Sequence, residues 1–131
     1  MTIQDCINDL VLRGCDDWVY AAEVAFIARE MGRARSAEEI RGLSLEIIRA
    51  VVIQGLMEIG DLPKEGRRLS LWPMTPQECI ERVEREWKAL GRNPTLWEIC
   101  WLQNTDKGHT LGEELFKRRD ALQKALRESP K

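Results

Sequence analysis

Histidine is nearly absent from this chain: His109 is the only one among 131 residues. The four cysteines, at positions 6, 15, 79 and 100, form no CxxC pair. Zinc takes about four nitrogen or sulfur ligands in close spacing, so this set excludes a recognisable zinc site. It is also too sparse for a small secreted disulfide framework. Cys6, Cys79 and Cys100 fall among apolar helix positions and are expected to be reduced core residues. No run approaches the ~18 apolar residues of a membrane span. Acids stand near the N-terminus where a signal peptide carries lysines. The expectation is a cytoplasmic chain with no membrane contact. The nine glycines are scattered as turns and helix stops, without a phosphate-cradling loop, so no cofactor is expected. An excess of base is missing too. The formal charge is −2, whereas dedicated nucleic-acid domains usually have a pI above about 9.

These shortages leave little for catalysis. The nearest approach to a nucleophile and base is Cys100 with His109, and no third group orients the histidine. Glu78, Glu81, Glu84 and Glu86 alternate with Arg82, Arg85 and Lys88 on one helix, as weak surface pairs do. The sequence reads as a non-enzyme.

What is present is helical periodicity. Ile3, Cys6, Ile7, Leu10 and Val11 recur at helix spacing up to Gly14. Asp16 offers an N-cap to a second helix, with Trp18, Ala21, Ala22, Ala25, Phe26 and Ala28 inward and a stop at Gly32. Ser36 and Glu39 have the spacing of a capping box and open a helix carrying Ile40, Leu43, Ile47, Ile48, Val51 and Val52. It ends near Gly55. Met57 and Ile59, then Leu69, Leu71 and Trp72, alternate with polar residues as two short strands, and Pro63 and Gly66 supply the turn. Thr75 and Glu78 form a second box, with Pro76 at the favoured first helical position. That helix carries Cys79, Ile80, Val83, Trp87 and Leu90 and stops at Gly91. Thr95 and Glu98 form a third box, read as opening a short helix through Ile99, Cys100 and Leu102. Residues 104–108 read as a loop, and a last helix runs from about Thr110 to Glu128. The fold expected is mainly α: a winged-helix-like helical domain with one short β-hairpin at about 56–72 and additional C-terminal helices, all in one compact domain over 1–131.

The charge is uneven. Residues 1–31 hold Asp5, Asp9, Asp16, Asp17, Glu23 and Glu30 against Arg13 and Arg29. The last stretch is basic, with Lys117, Arg118, Arg119, Lys124 and Arg127 on the final helix. An acidic N-terminal face fits a basic partner. Trp97 and Trp101, four apart on the expected short helix, face the same way. Tryptophan is enriched at the energetic centres of interfaces. Asp16, Asp17, Trp97 and Trp101 are therefore the candidate partner-binding residues, while Trp18 and Trp87 read as core. The alternative is DNA binding by the helix at 36–54 and the wing, through Arg33, Arg35, Arg41, Arg67 and Arg68, with the terminal helices holding a dimer. Glu38, Glu39 and Glu46 on that helix repel phosphates and count against it.

The strings Glu86-Trp87-Lys88-Ala89-Leu90-Gly91-Arg92-Asn93-Pro94 and Glu98-Ile99-Cys100-Trp101-Leu102-Gln103-Asn104-Thr105 resemble small bacterial proteins, some of which are immunity partners of polymorphic or contact-delivered toxins. The resemblance implies a small, cytoplasmic, non-catalytic protein that binds a cognate toxin domain and protects by occlusion.

Overall fold

The computed structural model describes residues 2–62 and 69–128. Five helices and four short strands follow one another: α1 (Ile3–Asp16), β1 (Val19–Tyr20), α2 (Ala21–Glu30), α3 (Ala37–Ile53), β2 (Met57–Asp61), β3 (Ser70–Leu71), α4 (Pro76–Leu90), β4 (Trp101–Asn104) and α5 (Asp106–Glu128). The chain is mainly helical with a small antiparallel sheet. The expected hairpin is present as β2 and β3, paired Gly60 to Leu71 and Asp61 to Ser70. Its turn residues Pro63 and Gly66, and the wing arginines Arg67 and Arg68, lie outside the described residues.

The helix ends obey local chemistry. Thr75 Oγ1 accepts from Glu78 N, and Glu78 Oε1 accepts from Thr75 N at 3.0 Å, so α4 opens on a complete capping box with Pro76 in its first turn. Gly91 closes α4 at φ 71°, a left-handed conformation that favours glycine. Ser36 Oγ accepts from Glu39 N at 3.0 Å at the start of α3, while Glu39 turns its carboxylate onto the Ser36 hydroxyl. Thr2 and Asp5 make a further complete box at α1.

A single aliphatic core joins these elements. Leu10 and Val11 of α1, Val24 and Ile27 of α2, Ile47, Ile48 and Val51 of α3, Val83 and Trp87 of α4 and Leu102 of β4 are all buried. Cys6, Cys79 and Cys100 are free and buried, as their apolar neighbours predict.

Four sequence readings are corrected. First, the second helix starts at Ala21, not after Asp16. Asp16 is the last residue of α1, and Asp17 accepts from Trp18 N at 2.7 Å as the chain turns into β1. The buried stripe of α2 is Ala21, Val24, Ala25, Ile27 and Ala28; Phe26 is 44% exposed, and Trp18 is half-buried at the surface. Second, no helix follows Thr95. Residues 95–100 are turns, and Trp101 and Leu102 belong to strand β4. Third, residues 104–108 are not a loop: Asn104 ends β4 and α5 begins at Asp106. Fourth, Leu71 is exposed, because it lies opposite Gly60 on the outer side of the sheet.

The sheet order β1-β4-β2-β3 places β4 between β1 and the hairpin. Val19, Leu102 and Ile59 lie side by side in register and face the helices. One residue along, Tyr20, Trp101 and Gly60 form the neighbouring row on the opposite face, as strand alternation requires.

Helix α5 is pinned at its start and exposed toward its end. Thr105 N donates to Leu56 O, Thr105 Oγ1 accepts from Gly108 N, and Lys107 Nζ donates to Gln54 O at 2.8 Å. Gly108 and Gly112 are buried; a Cβ at either would collide with the Leu56 carbonyl or the Cys15 thiol. Beyond Leu115 the helix is exposed, including Phe116, Leu122 and Leu126.

Candidate functional site

The outer face of the sheet carries an aromatic cluster. The Trp101 ring centroid lies 5.4 Å from Tyr20, 5.7 Å from Trp97 and 6.5 Å from Trp18, the last as an edge contact. These spacings are those of attractive aromatic pairs. Trp97 is 68% exposed, and the other three rings are half-buried. Register explains most of the cluster: Tyr20 is the cross-strand partner of Trp101, and Trp18 precedes the buried Val19.

A bonded turn holds Trp97. Arg92 donates from both terminal nitrogens to the two oxygens of Glu98, at 2.7 and 2.8 Å. Thr95 donates to the same carboxylate from its backbone N–H at 2.7 Å and its hydroxyl at 2.8 Å. Glu98 accepts from Thr95 as a capping box would, yet the chain turns instead of coiling. Ile99 takes a φ of 71°, rare for a β-branched residue. Beyond it Cys100 is buried, and its N–H donates to Glu98 O. The ion pair with Arg92, then the Thr95 donors, hold the Glu98 carboxyl down at about 2.

Carboxylates border the cluster. Asp16, Asp17 and Trp18 line an open hollow of about 600 Å³ together with Asn104, Asp106 and His109. Among the described residues Asp16, Asp17 and Asp106 make no ion pair. Arg92 is engaged by Glu98 and Lys107 by the Gln54 carbonyl, and His109 Nε2 lies 2.8 Å from Glu113. Asp16 also lines a second hollow with Arg13, Lys117 and Arg119.

Trp18 links the candidates: it lines the hollow with Asp16 and Asp17 and meets Trp101 edge-on, and Trp101 in turn meets Trp97. The short helix that was to align Trp97 and Trp101 does not exist; the turn and strand bring the two rings together. Trp18 and Tyr20 were missed as members. Their signal was the alternation Trp18-Val19-Tyr20, which in extended chain puts two aromatics on one side of the buried Val19.

The other candidates are scattered. Arg33 and Arg35 are exposed between α2 and α3, and Arg41 is half-buried in α3. Glu38 and Glu39 are exposed in the first turn of α3, where phosphates would have to approach. Arg67 and Arg68 lie outside the described residues. Cys100 and His109 do not form a catalytic pair. Burial pushes the Cys100 thiol upward, away from the reactive thiolate, and His109 Nε2 lies against the Glu113 carboxylate at 2.8 Å. No group of three potential metal ligands occurs among the described residues, and no described helix is long and apolar enough to cross a membrane.

In comparisons with known proteins, no family model, no curated protein and no solved structure matches this chain.

Proposed function

We propose that this protein is a non-catalytic protein-binding module, most concretely a cytoplasmic immunity protein that binds a bacterial toxin domain and neutralises it by occlusion. The observation that carries the reading is the acid-bordered aromatic surface of Trp18, Tyr20, Trp97 and Trp101 beside Asp16 and Asp17. Its rings offer rigid contact area at little entropic cost, as interface centres do. Its carboxylates steer a basic partner, such as a nuclease-like domain, and speed encounter.

The test is affinity capture of the tagged protein from its own cells after nuclease treatment. The reading predicts one stoichiometric protein that is toxic when expressed alone and harmless when co-expressed with this chain. Asp16→Lys with Asp17→Lys should weaken that complex and flatten its salt dependence. Unchanged affinity and salt slope would remove the acidic face from the mechanism.

The order helix, strand, helix, helix, strand, strand from α1 to β3 supports a second reading, a winged-helix DNA-binding regulator. It would use Arg33, Arg35, Arg41, Arg67 and Arg68. Replacing Arg67 and Arg68 by alanine should then flatten the salt slope of DNA binding. Recovery of DNA without a protein partner, when nuclease is omitted, would favour this reading.

A further inference from the structure

The molecule repeats one small arrangement of an aromatic ring, a guanidinium and a carboxylate. The Arg82 guanidinium stands 3.8 Å over the Trp72 ring and donates to Glu86 at 2.6 Å. Phe26 lies between Arg13 and Arg29, at 5.5 and 5.7 Å. Arg13 is paired with Asp9 and Glu23, and Arg29 with Glu30. The ring's negative face attracts the cation, and the carboxylate fixes and neutralises it.

The outer sheet face has two of these three parts. It has the rings, Trp18, Tyr20, Trp97 and Trp101, and it has the carboxylates, Asp16, Asp17 and Asp106. Among the described residues no Lys or Arg stands over any of the four rings, since the cation–π contacts are those on Phe26 and Trp72. Arg92 and Lys107 have acceptors of their own, and Arg13, Lys117 and Arg119 line a second hollow beside Asp16 that includes none of the four rings.

We infer that this surface receives an arginine side chain from the partner, with its stem across the exposed Trp97 ring, its guanidinium against the Trp101 and Trp18 rings, and its charge met by Asp16 and Asp17, which share a hollow with Trp18. Arginine is favoured over lysine because its planar group stacks on a ring while its N–H fork bonds a carboxylate. Both internal examples use arginine. The inference rests on the protein-binding reading and narrows it to a chemical group.

The test uses the full chain and a capped peptide of alternating glycine and arginine. A matched peptide carries citrulline, which keeps the shape and loses the charge. The five tryptophan indole N–H signals are followed by NMR. The arginine peptide should shift the signals of Trp18, Trp97 and Trp101 and leave those of buried Trp72 and Trp87 in place. The citrulline peptide should bind about tenfold more weakly. Trp97→Ala and the pair Asp16→Asn with Asp17→Asn should each weaken the arginine peptide; Trp97 and both aspartates are exposed, so these variants keep the fold.

Equal binding of the citrulline peptide, or an arginine peptide that leaves Trp18, Trp97 and Trp101 unmoved, overturns the inference. So does a single-stranded oligonucleotide that shifts the same signals when the peptide does not. If a captured protein partner binds the Trp97→Ala and asparagine variants as tightly as the parent, the arginine site falls and the protein-binding reading stands. If no protein partner exists, the protein-binding reading falls, and the arginine site falls with it.

Discussion

Val19, Leu102 and Ile59 on one side of the sheet, and Tyr20, Trp101 and Gly60 on the other, belong to the same three strands, one residue apart. The first row is aliphatic and sealed against α1 and α3. The second is aromatic and half open, with a glycine at the end of the row. A side chain sealed in the core contributes mainly to stability. An exposed ring such as Trp97 contributes little to it, so its place on a braced turn calls for another explanation. The contrast separates what holds this protein together from what it presents.

The contrast breaks most visibly from the inner side. Leu102→Ala removes a side chain with no solvent exposure and should cost about 2–5 kcal/mol of stability in chemical denaturation. Trp97→Ala should leave the denaturation midpoint within about 0.5 kcal/mol of the parent, yet lower partner affinity by about 2 kcal/mol or more in calorimetry. An equal loss of stability in the two variants would erase the distinction between the faces.

A smaller effect sharpens the account of the turn. Glu98 has a folded-state pKa of about 2, below its ordinary 4.5. Its clamp therefore adds stability above pH 4.5 and loses that contribution as the pH falls toward 2. An NMR titration of the Glu98 carboxyl should have its midpoint near 2, moving back toward 4.5 in Arg92→Ala. A midpoint near 4.5 in the parent would mean that the clamp does not brace Trp97. The smallest effect belongs to the end of α5. Leu122 and Leu126 are 62% and 68% exposed, so Leu122→Gln and Leu126→Gln should each change stability by less than about 0.5 kcal/mol.

Much of the frame was legible in the amino acids. Thr75, Pro76, Glu78 and Gly91 bounded α4, Ser36 opened α3, and the 57/59 alternation marked β2. These signals act within one turn or one strand, so a local pattern carries them. The pairings of β4 were not legible. Trp101 and Leu102 find their partners at Val19, Tyr20, Ile59 and Gly60, far away along the chain, and a short apolar run does not distinguish helix from strand. Thr95 and Glu98 reproduced the chemistry of a cap, but the left-handed Ile99 diverts the chain and sends Cys100 into the core. The pairing of Trp97 with Trp101 was anticipated on a helical argument and arises from a turn meeting a strand. Trp18 read as core because its neighbours suit a helix; it stands just before β1, half-buried and against Trp101. The basic stretch in α5 was correctly placed on a helix, but periodicity gave no sign that Leu122 and Leu126 on it would be exposed.

The most direct test of the central claim is the affinity of the captured partner for the parent and for Trp97→Ala, measured beside the folding stability of both. The account predicts a large loss of affinity at unchanged stability, deepened by Asp16→Asn with Asp17→Asn and weakened by salt. Unchanged affinity in all of these variants would contradict it and place the binding surface elsewhere on the molecule.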